Sequence, residues 1–448
     1  MAEVRESYSG RHGPVFLELP LDVQAASVPE TWTALPFQDI VVQQSRTPRV
    51  EAQIIADVAQ RLAGAERPVL LLGGGLSHQQ ARSLRELLSE LRLPIMTTWN
   101  GADRYPDGCD NYLGRPNTWG QRSSNIILQQ ADLVLVLGSR LGLQQTGFNW
   151  QEFVPLGDVI QVDIDVHELT KPNPQLCLAI EADADHFLVE LLKHPLGDHN
   201  SWLDFARQVR KRLPLSEPCN LTPNGFLNPY DMVEHLSAIC SVGDHIVPCS
   251  SGGAFTVMMQ AFKLKLDQTM ITNKSLASMG YGLSGAIGVS IADPDRRTVL
   301  VEGDGGFTQN LQELATVAVN QLNLKIFLFC NEGYASIRMT QKNYFEGAYL
   351  GCDVNSGLGF PDWQLLAQAY QIPCAQLGPD WSSDSSFLAL WKSKGPALFL
   401  VPLHPEQTYY PKITSRVRES GGMESCPLHL MTPDLDQETQ EFVFRYFP

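Results

Sequence analysis

Short apolar runs alternate with amphipathic helical stretches along most of this chain, and that alternation restricts the fold more than any other feature. "EAQIIADVAQRLAGAERPVLLLGGG" puts Ile54, Val58 and Leu62 on one helical face and follows them with the apolar run Val69–Leu72. "QARSLRELLSELRLPIMTT" repeats the pattern with a strand near Ile95. "NIILQQADLVLVLGSRL" repeats it with Leu133–Leu137, and "DVIQVDID" adds one more strand. Strands this short and this uniformly apolar are buried on both faces, which in a helix-alternating chain means a parallel sheet. The expectation is an α/β protein of two doubly wound parallel-sheet domains. The first spans 51–195. Pro214, Pro218 and Pro223 mark 196–228 as a linker. The second, 229–410, begins at "YDMVEHLSAIC" and runs through "TVLVEGDGGF", "LQELATVAVNQ", "LKIFLFCNEGY", "WQLLAQAY" and "PALFLVPL". A charged tail, 411–448, wraps the surface, and 25–50, with Pro29, Pro36 and Pro48, is a further linker. Gly73-Gly74-Gly75 reads as a tight strand-to-helix turn.

The formal net charge of −16 repels phosphate backbones, which argues against nucleic-acid binding. No apolar run reaches the roughly 18 residues of a membrane span. Nine scattered cysteines, never in a C-x-x-C pair, read as reduced thiols of a cytoplasmic protein. The start, "MAEVRESYSGRHGPVFLELPLD", lacks the apolar core of a signal peptide. Within it, "GPVFLELP" (Gly13–Pro20) reads as a buried strand preceded by a turn.

The chemistry concentrates at "VLVEGDGGF". A strand ends at Glu302, and Gly303-Asp304-Gly305-Gly306 turns away from it. The next strand, Leu324–Cys330, ends at Asn331-Glu332-Gly333-Tyr334. Asn331 follows Asp304 by 27 residues (331 − 304), room for one βαβ unit, which places both residues at the carboxyl ends of neighbouring parallel strands. A carboxylate, an amide oxygen and the Gly333 carbonyl suit a hard cation. Three protein oxygens leave about three octahedral positions open, matching Mg²⁺ shared with a diphosphate. A helix starting after Gly306 would add N–H donors and a dipole contribution of up to ~1–2 kcal/mol. The competing reading is a glycine turn with a capping aspartate.

"GDGGF…CNEGY" resembles the thiamine diphosphate motif. "SLASMGYGLSGAIG" (Ser275–Gly288), the "GGGLSHQQ…TTWNG" stretch and "ADLVLVLGSRL…VIQVDID" resemble the acetolactate synthase-like family over most of the chain. The resemblance implies a Rossmann-like central domain and a thiamine diphosphate-binding domain. It implies that Asp304, Asn331 and the Gly333 carbonyl hold Mg²⁺, with Gly303, Gly305, Gly306 and Tyr334 around them. Ser251, Gly252, Gly253, Ala254 and Phe255 would meet the diphosphate. Met279 would wedge between the two cofactor rings, and the Ala277 carbonyl would accept from the 4′-amino group. The implied activity is decarboxylation of a pyruvate-like 2-keto acid with carboligation to a second carbonyl.

The sequence also departs from that family. Cys330 replaces the first asparagine of an Asn-Asn pair. Thr340 stands where synthases preferring 2-ketobutyrate carry tryptophan, which turns the reading away from branched-chain synthesis; Gln341, Tyr344 and Phe345 could line the entrance or form a surface turn. "GSRLGLQQTGFNW" lacks the charges after Arg140 found in FAD-binding relatives, so FAD is not expected. Residues 1–24 read as the last piece of a pyrimidine-binding domain. The family's catalytic glutamate belongs to the rest of that domain, and Glu18 does not match it. The expected partners are therefore a second copy of the chain or a separate pyrimidine-domain subunit, besides the keto acid. The alternatives are a non-ligating 2-keto acid or oxalyl-CoA-type decarboxylase, and an inactive cofactor-binding subunit.

Overall fold

The apolar runs pair into two separate parallel sheets. A computed structural model describes Ser7 and residues 10–29, 50–417 and 421–448. The first sheet contains β1 (Pro68–Leu72), β2 (Ile95–Thr97), β3 (Leu133–Leu137), β4 (Asp158–Asp163) and β5 (Leu178–Glu181). Their order is β2-β1-β3-β4-β5, and every pair is parallel. β1 and β3 are buried at all positions, as both-face packing requires. Helix α1 (Ala52–Gly64) covers one face through Ile55, Val58, Ala59 and Leu62. Gly73 to Gly75 form a turn pressed against Gly138 at the end of β3, with no room there for side chains at Gly73 or Gly75.

The second sheet contains β6 (His245–Val247), β7 (Thr269–Met270), β8 (Thr298–Gly303), β9 (Leu324–Cys330), β10 (Cys374–Gln376) and β11 (Ala397–Pro402). Its order is β10-β11-β9-β8-β6-β7, again all parallel. From β6 the chain moves outward to β7, then crosses back to β8 on the other side of β6. The crevice between the carboxyl ends of β6 and β8 is therefore a topological switch point, where open α/β sheets take their ligands. The units share a core, since Trp99 and Ala102 beyond β2 pack with Phe255 and Met258 of the second.

Three sequence expectations change, and a fourth falls mostly outside the described residues. "GPVFLELP" is not a buried strand: the segment is extended but exposed, with Phe16 at 89% and Leu17 at 59% exposure. A strand needs a neighbour for its N–H and C=O groups, and none of the described residues offers one. Arg11 ties the segment to the first unit through Asp165 (3.2 Å) and Glu168 (3.0 Å). The expected linker at 25–50 lies, over 30–49, outside the described residues. The helix expected after Gly306 instead starts at Asp304, runs only to Phe307, and continues as a 3-10 stretch kinked at Asn310 before a helix over Leu314–Val319. The tail does more than wrap: Leu428 and Val443 join the core of the first unit. Among the described residues no helix is long and apolar enough to cross a membrane.

Candidate functional site

β8 and β9 are direct neighbours in register Gly303↔Phe329, so Asp304 and Asn331 leave adjacent strands side by side. Three backbone donors fix the Asp304 carboxylate. Its Oδ1 accepts from Gly305 N (2.7 Å), and its Oδ2 from Asn331 N (2.9 Å) and Glu332 N (2.8 Å). Burial pushes this carboxyl up to about 7, against the pull of those N–H groups. The Asn331 amide oxygen stands 2.8 Å from the Gly333 carbonyl and 3.1 Å from Asp304 Oδ1. Turned over, the amide would donate to both. With its oxygen turned inward, the amide brings three oxygens together. Contacts of about 3 Å are the edges of an octahedron whose metal–oxygen bonds are 2.0–2.1 Å, the geometry Mg²⁺ demands. The three residues thus suit one hard cation and leave positions for ligand oxygens.

Across the crevice, the turn after β6 leads into helix α2 (Gly252–Ala261). Ser251 makes no side-chain cap, so the first N–H groups of this ten-residue helix have no intrahelical acceptor. Such a terminus favours an anion. Gly252 has φ +78° with open space where a Cβ would point, whereas a Cβ on Gly253 would lie 2.6 Å from the Tyr409 ring. The stretch 272–279 lies along the same turn. Thr272 Oγ1 donates to Cys249 O (2.5 Å), and Ser250 Oγ to Ser278 O (2.7 Å). It presents Met279, 46% exposed, and Ala277 at φ +53°.

The family profile described as thiamine pyrophosphate enzyme, central domain, matches residues 55–191, and that described as thiamine pyrophosphate enzyme, C-terminal TPP binding domain, matches 251–401. The acetolactate synthase isozyme 1 large subunit of Escherichia coli (strain K12) is 32% identical over 412 residues, covering 91% of this chain and 70% of that protein. The chain belongs to the thiamine pyrophosphate enzymes, and within them it is acetolactate synthase-like. The isozyme 2 large subunit of the same organism is 28% identical (93% of this chain, 73% of that protein). The acetolactate synthase large subunit of Corynebacterium glutamicum is 29% identical (80% of this chain, 58% of that protein).

In this thiamine pyrophosphate enzyme the corner formed by Asp304, Asn331 and Gly333 has supports that lie outside its motif. Arg338, buried on the helix Ala335–Tyr344, donates to Glu332 O (3.0 Å) and Asn331 O (3.4 Å) and pairs with Asp353 (3.5 Å). Tyr409 reaches Asn331 Nδ2 at 3.5 Å, and burial pushes its phenol up to about 12. Glu302 lies behind Asp304, buried against Cys249 and Gly282, with its carboxyl pushed up to about 7 by burial. Sequence reasoning missed all three. The only signal was Glu302 itself, a charge at the end of an apolar strand.

The cofactor-binding candidates fall into three groups. Gly303, Asp304, Gly305, Gly306, Asn331, Gly333 and Tyr334 form one corner; a Cβ on Gly305 would strike the Tyr334 ring. Ser251 to Ala254 form the opposing helix start, while the Phe255 side chain is buried in the core, leaving only its backbone for a ligand. Ala277 and Met279 border the same crevice. Burial, with Asp304 nearby, pushes the Cys330 thiol well up, so it stays protonated and unreactive. Gln341 is tied to Leu350 at both ends of its amide, and Tyr344 and Phe345 are exposed.

Proposed function

We propose that this enzyme decarboxylates a pyruvate-like 2-keto acid and ligates the product to a second carbonyl, with thiamine diphosphate held through Mg²⁺. The convergence of the Asp304, Asn331 and Gly333 oxygens, in a chain matched by the C-terminal TPP binding profile, carries this reading. Asp304 and Asn331 would hold the cation, and the start of α2 would hold the diphosphate. Met279 and the Ala277 carbonyl would set the bend and the amino group of the cofactor. When bound, the cofactor supplies a nucleophilic carbon and an electron sink. The protein's part is to orient it and exclude water. The reaction is redox-neutral, so a flavin would have no net electrons to carry in it.

The exposed apolar side chains of Leu276, Met279, Tyr344 and Phe345 support a partner surface over this edge, from a second copy or a pyrimidine-domain subunit, and Phe16, Leu17, Leu19 and Leu21 add a further exposed apolar stretch on the segment tied to the first unit. Calorimetry tests the site. Asp304→Ala should abolish Mg²⁺-dependent thiamine diphosphate binding, and unchanged binding would refute the assignment. Product analysis with pyruvate separates ligation from simple decarboxylation: acetolactate supports the reading, acetaldehyde alone the decarboxylase.

A further inference from the structure

Lys274 is a half-buried cation at the mouth of the crevice with no role in the scheme above. Its ammonium lies 5.3 Å from the Trp99 ring centroid and 4.9 Å from that of Phe255, two rings packed edge to face at 5.1 Å. Trp99 comes from the first unit and Phe255 from the first turns of α2, so Lys274 sits on the seam between the units, near the start of that helix. Among the described residues no carboxylate lies within 4.0 Å of it and none of its hydrogens is donated. The titratable group that bears on it, Cys249, is a buried thiol held protonated and so carries no countercharge. The Trp99 indole N–H, sealed in the core, also lacks an acceptor. The seam thus has an excess of donors and positive charge in a chain of net charge −16.

A desolvated cation is costly, and cation–π contact offsets only part of that. Burial pushes this ammonium down to about 8, so it remains charged near neutral pH. We propose that Lys274 is an anion-binding residue of the site, taking an anionic oxygen group that keeps its charge through turnover. This rests on the cofactor reading only for the identity of the ligand. A cation on the carboxylate that leaves as CO₂ would stabilise the ground state and lose its partner as the bond breaks, which opposes catalysis. The group is therefore the diphosphate of the cofactor or a carboxylate of the substrate that does not leave.

Calorimetric titrations of the full chain, with Mg²⁺ present, use thiamine diphosphate, inorganic pyrophosphate and malonate on wild type, Lys274→Met and Lys274→Arg. Loss of one charge-assisted hydrogen bond predicts roughly tenfold weaker binding in Lys274→Met, with Lys274→Arg close to wild type. Weakening for the two phosphate compounds assigns the diphosphate, and weakening for malonate alone assigns a substrate carboxylate. Removing an unpaired half-buried charge should leave the melting temperature of Lys274→Met equal or higher. Equal affinities in all three proteins, a wild type that binds none of the probes, or a lower melting temperature with unchanged affinities would overturn the proposal. Wild type binding pyrophosphate but not thiamine diphosphate would instead refute the cofactor reading, with Lys274→Met still deciding the lysine.

Discussion

At the residue scale, neighbouring glycines of one loop serve different physical ends. Gly252 adopts φ +78° with open space beside it, while Gly253 is hemmed in by the Tyr409 ring at 2.6 Å from a notional Cβ. Asparagine tolerates the left-handed region, whereas a crowded Cβ forces a shift of core atoms. Gly252→Asn should therefore cost about 1 kcal/mol or less. Gly253→Ala should cost ~1–3 kcal/mol and displace Tyr409 from Asn331, which denaturant melts and cofactor titrations would register together. Arg338 makes a second case. Arg338→Met would take the ion-pair partner from Asp353 and the donor from the carbonyls of Asn331 and Glu332, a loss of up to roughly 3–5 kcal/mol for a broken buried pair. Arg338→Lys, unable to fork between two carbonyls, should fold better than Arg338→Met yet bind cofactor weakly. That Asp304 and Asn331 meet at one corner was legible in the sequence, because they end neighbouring strands at βαβ spacing. Tyr409, Arg338 and Glu302 were not, because their roles arise only from the packing of distant segments or of a carboxyl behind the turn.

At the element scale, uniform apolar runs marked the central strands of both sheets, β1, β3, β8, β9 and β11. The pattern failed at "GPVFLELP", since periodicity reports what a segment could bury and not whether a neighbour is there to bury it. It failed again after Gly306, where kinking at Asn310 splits one expected helix into three short pieces. The tail shows the opposite error. Its composition suggested a surface wrap, yet His429 stacks on Phe447 at 4.2 Å and meets Phe444 edge-on at 5.9 Å. Burial pushes this imidazole down to about 4. The unfolded tail binds a proton near pH 6.5, so between about 6.5 and 4 it holds more protons than the docked tail. Docking should weaken as pH falls through that window, by roughly 1–3 kcal/mol, and level off below it. Hydrogen exchange over 423–448 at stepped pH would show this. His429→Phe, which keeps the stack, should flatten the profile.

At the scale of the whole molecule, the site depends on two sheet units being held against each other. The helix whose start faces the crevice is fixed at its other end by the first unit. Arg115, fully buried, donates from Nε to Met259 O (2.8 Å) and from Nη2 to Phe262 O (2.6 Å), and pairs with Asp107 at 3.2 Å. Those carbonyls belong to the last turn of α2 and its cap, where intrahelical donors run out and a cation is favoured. Asp107 in turn accepts from Leu264 N (2.8 Å), just beyond the helix. One side chain therefore satisfies the C-terminus of the helix whose N-terminus would hold the diphosphate. Arg115→Leu would strand two carbonyls and take from Asp107 the nearer of its two arginine partners, a cost of up to roughly 3–5 kcal/mol localised between the units rather than within either. Apart from the shared contacts of Trp99 and Ala102, each unit has its own sheet and an apolar cluster of its own, so the variant should unfold in two calorimetric steps where wild type shows one. Ligand should raise only the step of the second unit, since linkage stabilises the species that binds. A single transition in Arg115→Leu, shifted down as a whole, would mean that other seam contacts such as Trp99 against Phe255 suffice to couple the units.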